Sequence, residues 1–194
     1  MDALGLVVPA EALERLERFE DLLRARAVPL GIVSDADAAR LRERHILDCL
    51  RAVAGVENAD ADGLDIGSGG GLPGVVVALA RPRLRVRLVE PRRRRVAFLE
   101  LVLERLRIEN ASVLEARIEE VDVHADVCFA RAFAPLDEAW RAARPRLRAR
   151  GRLVYFAGAA TTARVVAPLE GASSARLVEA GLLESSGPLI IMAR

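Results

Sequence analysis

The sequence contains no lysine, so all 29 of its basic side chains are arginines, set against 28 acidic ones. The resulting net charge of +1 excludes a globally basic RNA coat and an acidic tail, but not a local basic patch. Aromatic residues make up only 4% of the 194 residues, so the core must be built from aliphatic side chains. Each arginine presents a planar pair of N–H donors that suits phosphates and base edges.

Cysteine is also scarce, and long hydrophobic runs are absent. Cys49 and Cys128 have neither CxxC nor CxxxH spacing, which argues against a disulfide scaffold or zinc ribbon, and we expect no metal site. The longest apolar run, residues 72–80, contains proline and glycine and is too short to span a bilayer. The N-terminus turns acidic without a basic segment, so we predict no signal peptide and expect a cytoplasmic protein with no membrane partner.

The first 55 residues are predicted to be helical. Leu16 and Phe19 belong to an apolar face of a first helix that starts at Pro9 and breaks near residues 28–31. Ser34 is predicted to be the N-cap of a second helix that ends near residue 55. We therefore expect a helical cap over residues 1–55 and a core over residues 56–194, together forming one compact unit.

From residue 62 onward, short apolar runs alternate with amphipathic stretches of helical period. Strands are predicted at residues 63–66, 84–90, 112–115, 126–129, 151–156, 176–179 and 189–192. Helices are predicted at residues 73–81, 92–107, 136–150 and 162–169. Strands and helices that alternate at these lengths favour an α/β fold with a mostly parallel sheet covered on both faces.

A glycine-rich segment, LDIGSGGGLPG at residues 64–74, leaves a predicted strand and enters a predicted helix. We call residues 67–74 the glycine loop. Glycines let the backbone turn sharply and approach a ligand, and the following helix offers unpaired N–H groups. Glu90 ends the next strand, 19 residues after Gly71, where an acid can accept hydrogen bonds from two ribose hydroxyls.

Two classes of ligand fit the glycine loop. Gly69, Gly71 and Gly74 satisfy the GxGxxG fingerprint of NAD- or FAD-binding proteins. The GxGxG spacing that begins at Gly67 also suits S-adenosylmethionine (AdoMet), whose cationic amino group favours the carboxylate of Asp65 at the strand end. We expect the roughly 120 residues after the loop to complete one sheet without a separate substrate domain, which favours AdoMet over a dehydrogenase cofactor.

Five short segments occur in one order: RHILD at 44–48, DIGSGGGLPG at 65–74, RVAFL at 95–99, RIEE at 117–120 and RAFA at 131–134. With these segments the chain, from about residue 11 onward, resembles the RsmG family, also called GidB. That family comprises bacterial methyltransferases that act on N7 of a guanine in small-subunit ribosomal RNA. Many AdoMet enzymes share the glycine motif, whereas the RHILD and RAFA segments are far more specific.

The resemblance implies a Rossmann-like AdoMet-dependent methyltransferase fold, with a seven-stranded, mostly parallel sheet and added N-terminal helices. It implies a cofactor lying over Gly67, Gly69, Gly71 and Leu72, with Glu90 on the ribose, Ile118 and Glu119 flanking the adenine, and Arg131 beside the methyl-transfer site. Asp65 completes the predicted cofactor-binding set. The expected partner is small-subunit ribosomal RNA or the ribosomal subunit, and a monomer is expected.

Two segments depart from the family pattern. Residues 29–31, Pro-Leu-Gly, stand where the family usually has an Asn-Leu-Thr-like turn, and residues 157–158, Ala-Gly, stand where it often has Lys-Gly. The resemblance places both segments toward the RNA, so the departures bear more on the substrate than on the cofactor.

Guanine N7 carries an in-plane lone pair, so methylation there needs no general base, and catalysis depends on holding N7 in line with the methyl group. Arg131 and His45 are the candidate catalytic residues. An arginine bound to both O6 and N7 would block the nucleophile, so we predict that Arg131 bonds O6 alone or binds the cofactor carboxylate. His45 and Asp48 share a helix face at i and i+3, either as contacts at the active-site rim or as a packing histidine satisfied by Asp48.

Two arginine clusters, residues 92–95 and residues 141–152, are either solvated surface or contacts for RNA phosphates. Three alternatives to an RNA methyltransferase stay open. A small-molecule methyltransferase is favoured if the clusters form no continuous face beside the cofactor. The others are a nucleotide-binding or oxidoreductase domain that uses the GxGxxG fingerprint, and a degenerate RNA-binding paralogue without activity.

Overall fold

The computed structural model describes residues 8–158, 160–161, 166–180, 183 and 186–194. The N-terminal part is helical, as predicted. Its segments are α1 (Ala10–Leu22), a π-helical stretch (Leu23–Ala27), α2 (Asp35–Ala38), a second π-helical stretch (Arg42–Leu47), α3 (Asp48–Leu50) and a 3-10 turn (Arg51–Gly55). Ser34 caps α2 as predicted, because its Oγ accepts a hydrogen bond from the N–H of Asp37 at 3.3 Å.

Seven strands form one sheet in the order β3-β2-β1-β4-β5-β7-β6. They are β1 (Asp62–Ile66), β2 (Arg85–Val89), β3 (Ala111–Leu114), β4 (Ala125–Arg131), β5 (Leu147–Phe156), β6 (Ser174–Val178) and β7 (Leu189–Ala193). Strands β1 to β5 pair in parallel, and β7 runs antiparallel to both of its neighbours. The α/β fold with a mostly parallel sheet is confirmed, and each predicted strand overlaps an observed one.

Alternating side chains of the strands fill two cores, one on each face of the sheet. On β4, Val127 and Phe129 join one core, while Cys128 and Ala130 join the other. The first core is covered by α1, α4 (Gly74–Ala80) and α5 (Arg93–Arg105), and the second by α6 (Leu136–Ala143). Both cysteines are fully buried, and burial raises the pKa of each thiol. Within the described residues, no helix is long and apolar enough to cross a membrane.

The helix predicted over residues 136–150 is wrong in its second half. Helix α6 ends at Ala143, a 3-10 turn follows, and Leu147 already belongs to β5 and pairs with Ala125. Pro145 explains the break, because it has no N–H to continue the helix, and sheet pairing then outweighs the helical pattern. Of the helix predicted over residues 162–169, residues 162–165 lie outside the described residues, and residues 166–169 are not helical.

An ion-pair network lies at the amino ends of the parallel strands. The buried carboxylate of Asp62, at the start of β1, accepts hydrogen bonds from Arg85 at 3.0 Å, Arg87 at 3.1 Å and Arg148 at 2.7 Å. Arg148 also binds Asp126 of β4 at 2.9 Å. Burial by itself would raise the pKa of Asp62, but the hydrogen bonds from Arg85 and Arg148 outweigh it and lower the pKa to about 2. The network therefore stabilises the fold only while Asp62 is ionised.

We expect Asp62→Asn to lower the free energy of unfolding at pH 7 by about 2 kcal/mol, because charged hydrogen bonds are lost. The pKa of Asp62 is lower in the folded than in the unfolded chain, so this stabilisation is present above about pH 4 and is lost as the pH falls toward 2. Urea unfolding between pH 7 and pH 2.5 checks this, and the wild-type and variant free energies should converge.

A wild-type advantage that stays constant over that pH range would contradict the role of Asp62. Asp137→Asn is the control, because it removes an exposed pair with Arg141 at 3.2 Å. We expect this variant to change the free energy of unfolding by less than about 0.5 kcal/mol.

Candidate functional site

The glycine loop follows β1 and passes three times through the left-handed backbone region. Gly67, Gly69 and Gly71 have φ values of +71°, +56° and +85°, which residues with a Cβ rarely adopt. The N–H of Ser68 donates to the carbonyl of Val89 at 2.9 Å, and the N–H of Gly71 donates to the carbonyl of Ser68 at 2.7 Å. The first bond ties the loop to the end of β2, and the second closes a turn within the loop.

Asp65 lies beneath the glycine loop and is fully buried. Its Oδ2 accepts a hydrogen bond at 3.1 Å from the N–H of Gly74, the first residue of α4. A Cβ on Gly74 would stand 2.5 Å from that oxygen, so only glycine fits there. Burial raises the pKa of Asp65 to about 7 despite this hydrogen bond. In the structure Asp65 holds the start of α4, and its contact with a cofactor amino group stays a prediction.

Glu90 lies between the glycine loop and the start of α5. It directly follows β2 and is buried. Its Oε2 accepts a hydrogen bond from the N–H of Gly69, and its Oε1 accepts one from the N–H of Arg92, both at 3.0 Å. Nη1 of Arg95 lies 3.6 Å from Oε2 and balances the negative charge. The predicted ribose acceptor is therefore brought against the glycine loop.

The backbone surface at Gly69 is open. A Cβ built there would meet no described atom closer than the carbonyl oxygen of Gly67, at 3.8 Å. At Gly67 itself, the ring of Phe133 would lie only 2.8 Å from an added Cβ, so that part of the loop is covered. A ligand can therefore approach the loop at Gly69, beside Glu90.

The remaining predicted cofactor residues differ in exposure. Gly71 packs closely against Val75, which would lie 2.6 Å from an added Cβ, and Leu72 is buried. Ile118 is buried and Glu119 is exposed in a 3-10 turn after β3. Binding of adenine by these last two residues stays a prediction.

Arg131 is the last residue of β4 and joins the sheet to the RHILD segment. Its Nη2 donates to the carbonyl of Arg44 at 2.8 Å, and its Nε lies 3.4 Å from Oδ2 of Asp48. The guanidinium carbon lies 5.8 Å from the centre of the Phe156 ring. The next residue, Ala132, has a strained φ of +52°. Because β4 is parallel to β1, Arg131 lies at the same edge of the sheet as the glycine loop.

His45 is 8% exposed, and neither ring nitrogen makes a hydrogen bond within the described residues. Its Nε2 lies 3.8 Å from Oδ2 of Asp37, which is too far for a hydrogen bond. Burial, followed by the charge of Arg131, lowers the pKa of His45 to about 4, so the ring is neutral at pH 7. The interpretation that Asp48 satisfies this histidine is wrong, because Asp48 binds Arg51 at 2.7 Å and also contacts Arg131.

Sequence reasoning missed three side chains that shape this edge, namely Arg51, Phe133 and Tyr155. Arg51 binds Asp48, Phe133 covers Gly67, and the hydroxyl of Tyr155 donates to the carbonyl of Ala134 at 3.1 Å. The RAFA segment marked the neighbourhood of Phe133 without indicating what its ring covers. Arg51 lies three residues after Asp48, so the i and i+3 spacing could have indicated this pair. No local pattern connects Tyr155 to the site, since its partner is set by the fold.

The two arginine clusters lie at different edges of the sheet. Residues 92–95 begin α5 next to Glu90 and are mostly exposed. Residues 141–152 lead into the amino end of β5, where Arg148 and Arg152 bind carboxylates at the start of β1 and in the segment before it. Arg148 and Arg152 of the second cluster therefore belong to a structural network, and the two clusters do not form one continuous face beside the glycine loop.

We expect the buried, neutral His45 to make the fold sensitive to mild acid. The unfolded ring has a pKa of about 6.5 and the folded ring one of about 4, so protonation favours the unfolded chain as the pH falls through that range. The loss between pH 7 and pH 4 amounts to about 3 kcal/mol. Burial raises the pKa of Asp65 to about 7, which changes the stability in the opposite direction over this range, so the quantity to measure is the difference between two proteins. In urea unfolding, the wild type should lose about this much stability relative to His45→Gln between pH 7 and pH 4. A His45 ring that titrates near pH 6.5 by NMR would contradict the expectation.

The sequence is similar to a family of known proteins over most of its length. The model of the GidB family, described as rRNA small subunit methyltransferase G, matches residues 12–179. The ribosomal RNA small subunit methyltransferase G of Nocardioides sp. (strain ATCC BAA-499 / JS614) is 39% identical over 170 residues, which cover 86% of this chain and 67% of that protein. The protein of the same name from Thermobifida fusca (strain YX) is 40% identical over 162 residues, which cover 78% and 68%. The chain thus spans about two thirds of the length of these relatives.

Solved structures share the fold. A SAM dependent methyltransferase from Aquifex aeolicus superposes with a TM-score of 0.59 at 15% identity, covering 86% of this chain and 97% of that one. At that identity the likeness concerns the fold alone, and it agrees with the seven-stranded sheet found here. With the family model matching most of the chain and relatives near 40% identity, the chain belongs to the GidB family of rRNA small subunit methyltransferase G proteins.

Proposed function

We propose that this protein transfers a methyl group from AdoMet to N7 of a guanine in small-subunit ribosomal RNA. The observation that carries the proposal is the meeting of the glycine loop, Glu90 and Arg131 at one edge of the sheet, in a member of the GidB family. The relatives are named as ribosomal RNA small subunit methyltransferases, which supports the substrate class.

The loop edge fits AdoMet. The open backbone at Gly69 admits a ligand, and the carboxylate of Glu90 beside it can accept hydrogen bonds from the two ribose hydroxyls. NAD or FAD would instead place its pyrophosphate against unpaired N–H groups at the start of α4. The N–H of Gly74 is already bound there by the buried carboxyl of Asp65, which favours a ligand without a pyrophosphate.

Methylation of guanine N7 requires the protein mainly to position the base against the methyl group. Guanine N7 accepts hydrogen bonds and carries no proton, so the chain needs no general base. When bound, AdoMet supplies an electrophilic methyl group, whose bond to sulfur breaks with the electron pair left on sulfur as the bond to N7 forms. Neutral His45 and Arg131 hold the base in line, and the carboxylate of Asp37 beside His45 offsets the positive charge that the base acquires.

Residues 1–55 and 56–194 act in this proposal as a cap and a core that form one compact, cytoplasmic monomer. Phe19 of α1 lies in the same hydrophobic core as Val75 and Leu99, which supports one unit. The contact between Asp48 and Arg131 also crosses the boundary between cap and core. A ribosomal RNA substrate supports the cytoplasmic location.

The proposal is tested with purified protein, AdoMet labelled in its methyl group, and small subunits or their RNA from a strain that lacks this gene. We expect label in 7-methylguanosine at one guanine after digestion of the RNA. Label on another atom or another RNA would contradict the assigned product.

Two other outcomes point to the alternatives. Binding of AdoMet without RNA methylation would favour a small-molecule methyltransferase, which the separation of the two arginine clusters supports, or an RNA-binding paralogue without activity. Binding of NADH without AdoMet would overturn the assignment of the glycine loop.

We expect Glu90→Gln to raise the Kd for AdoMet roughly 10- to 100-fold, because hydrogen bonds to an ionised acceptor contribute about 1.5–3 kcal/mol. Isothermal titration calorimetry on the folded variant measures this change. Glu57→Gln is the control, since Glu57 is an exposed partner of Arg152 at the opposite edge of the sheet, 3.5 Å from its Nη1. Equal Kd values for wild type and Glu90→Gln would remove Glu90 from the cofactor site.

A further inference from the structure

The guanidinium of Arg131 is held by the cap on two sides. Nη2 donates to the carbonyl of Arg44 at 2.8 Å, and Nε forms an ion pair with Oδ2 of Asp48 at 3.4 Å. Nη1 has no hydrogen-bond partner within the part of the chain that the structure describes. The plane of the group is therefore set by protein contacts, and Nη1 is the nitrogen left to meet a ligand.

Asp48 is itself locked in place. Its Oδ1 lies 2.7 Å from Nη1 of Arg51, so each carboxylate oxygen faces a different guanidinium. Asp48 is 7% exposed and Arg51 is 5% exposed. Nη2 of Arg51 in turn lies 3.4 Å from the carbonyl of Val178 in β6. A buried carboxylate held in this way cannot swing aside to release Arg131.

An arginine whose guanidinium is not held by the protein can bind guanine in a way that blocks N7. Arginine binds guanine most readily through two N–H groups, one on O6 and one on N7. An N–H on N7 would occupy the in-plane lone pair that must attack the methyl group. An enzyme that methylates N7 next to an arginine therefore needs a device that keeps the arginine off N7.

We propose that Asp48 is a positioning residue that anchors Arg131, so that Arg131 donates one hydrogen bond to O6 and N7 of the target guanine stays free. The inference rests on the proposed function, since it presumes guanine N7 as the acceptor. Arg51 supports the same arrangement by fixing Asp48. No group is transferred to or from Asp48, which acts only through Arg131.

The first test is Asp48→Asn, compared with wild type in single-turnover methylation and in RNA binding. We expect kcat to fall roughly 10- to 100-fold, because a misplaced contact at the reacting atom has an effect of this size. We expect the KM and Kd for RNA to stay unchanged or decrease, because the released arginine gains a second bond to the base. The Kd for AdoMet should not change. Weaker RNA binding in proportion to the lost activity would overturn the inference.

A second variant tests whether Asp48→Asn loses activity because Arg131 is misplaced or because the site is disrupted in general. Lysine has a compact ammonium group that cannot bind O6 and N7 as a planar pair. We therefore expect Asp48→Asn combined with Arg131→Lys to be several-fold faster than Asp48→Asn alone. A double variant that is no faster than the single one would overturn the inference.

The base itself supplies a third readout. An RNA fragment that spans the mapped guanine is made with guanine or with 7-deazaguanine, which replaces N7 by a C–H group. Any affinity that Asp48→Asn gains for the guanine fragment should vanish with 7-deazaguanine, whereas wild type should bind both fragments alike. A gain that survives this replacement would show that the released arginine does not reach N7.

Asp62→Asn is the matched control, because it also removes a buried carboxylate from arginines but at the opposite edge of the sheet. It should lower stability while leaving kcat and RNA affinity within about twofold of wild type. The wild-type assay decides the proposed function by itself. If wild type methylates N7 and Asp48→Asn behaves differently from the expectation, only the role of Asp48 fails.

Discussion

Parallel pairing of β1 with β2 and β4 is the constraint on which the site depends. Parallel strands end at the same edge of a sheet, so the glycine loop, Glu90 and Arg131 converge although they are far apart in sequence. Each crossover helix also covers a face of the sheet and keeps the strands buried. The hydrogen bond from Gly74 to Asp65 holds the first crossover close against β1.

The N-terminal helical segments supply the groups that bind the side chain of Arg131 at the end of β4. The carbonyl of Arg44 and the carboxylate of Asp48 both come from the RHILD segment and fix the side chain at the end of β4. The backbone there is π-helical over Arg42–Leu47, a rare geometry that is often found at functional sites. His45 lies in the same stretch, buried and without a hydrogen-bond partner among the described residues. The N-terminal helical segments and the sheet therefore both contribute residues to the candidate site.

Arginine serves two purposes in a chain that has no lysine. At the amino ends of the strands, several arginines surround Asp62 and Asp126, and their planar groups satisfy carboxylates that would otherwise be costly to bury. At the carboxyl ends, Arg131 is bound by Arg44 and Asp48 of the N-terminal helical segments, and Arg95 lies beside Glu90. The same side chain thus stabilises one edge and orients groups at the other. The difference comes from the partners that the fold places beside it.

The local pattern of the chain was enough to predict the strands, the glycine loop and the position of Glu90 after β2. These features depend on period-two hydrophobicity, on glycine, and on spacing along the chain, all of which act between near neighbours. The same reasoning extended the helix at residues 136–150 too far, because the arginine-rich stretch has a helical pattern while its actual partner is β4. It also offered Asp48 as the partner of His45 in one of two interpretations, because i and i+3 neighbours share a helix face.

The sequence by itself therefore determined the α/β class, the order of the elements and the loop that approaches a ligand. Only the tertiary structure decided which charges meet, since Asp48 contacts Arg131 across 83 residues of sequence and Arg148 reaches Asp62 across 86. It also decided that Asp65 is buried beneath the loop and that the two arginine clusters lie at opposite edges. Such contacts depend on how distant segments pack, and a carboxylate has many arginines within reach until the fold selects one.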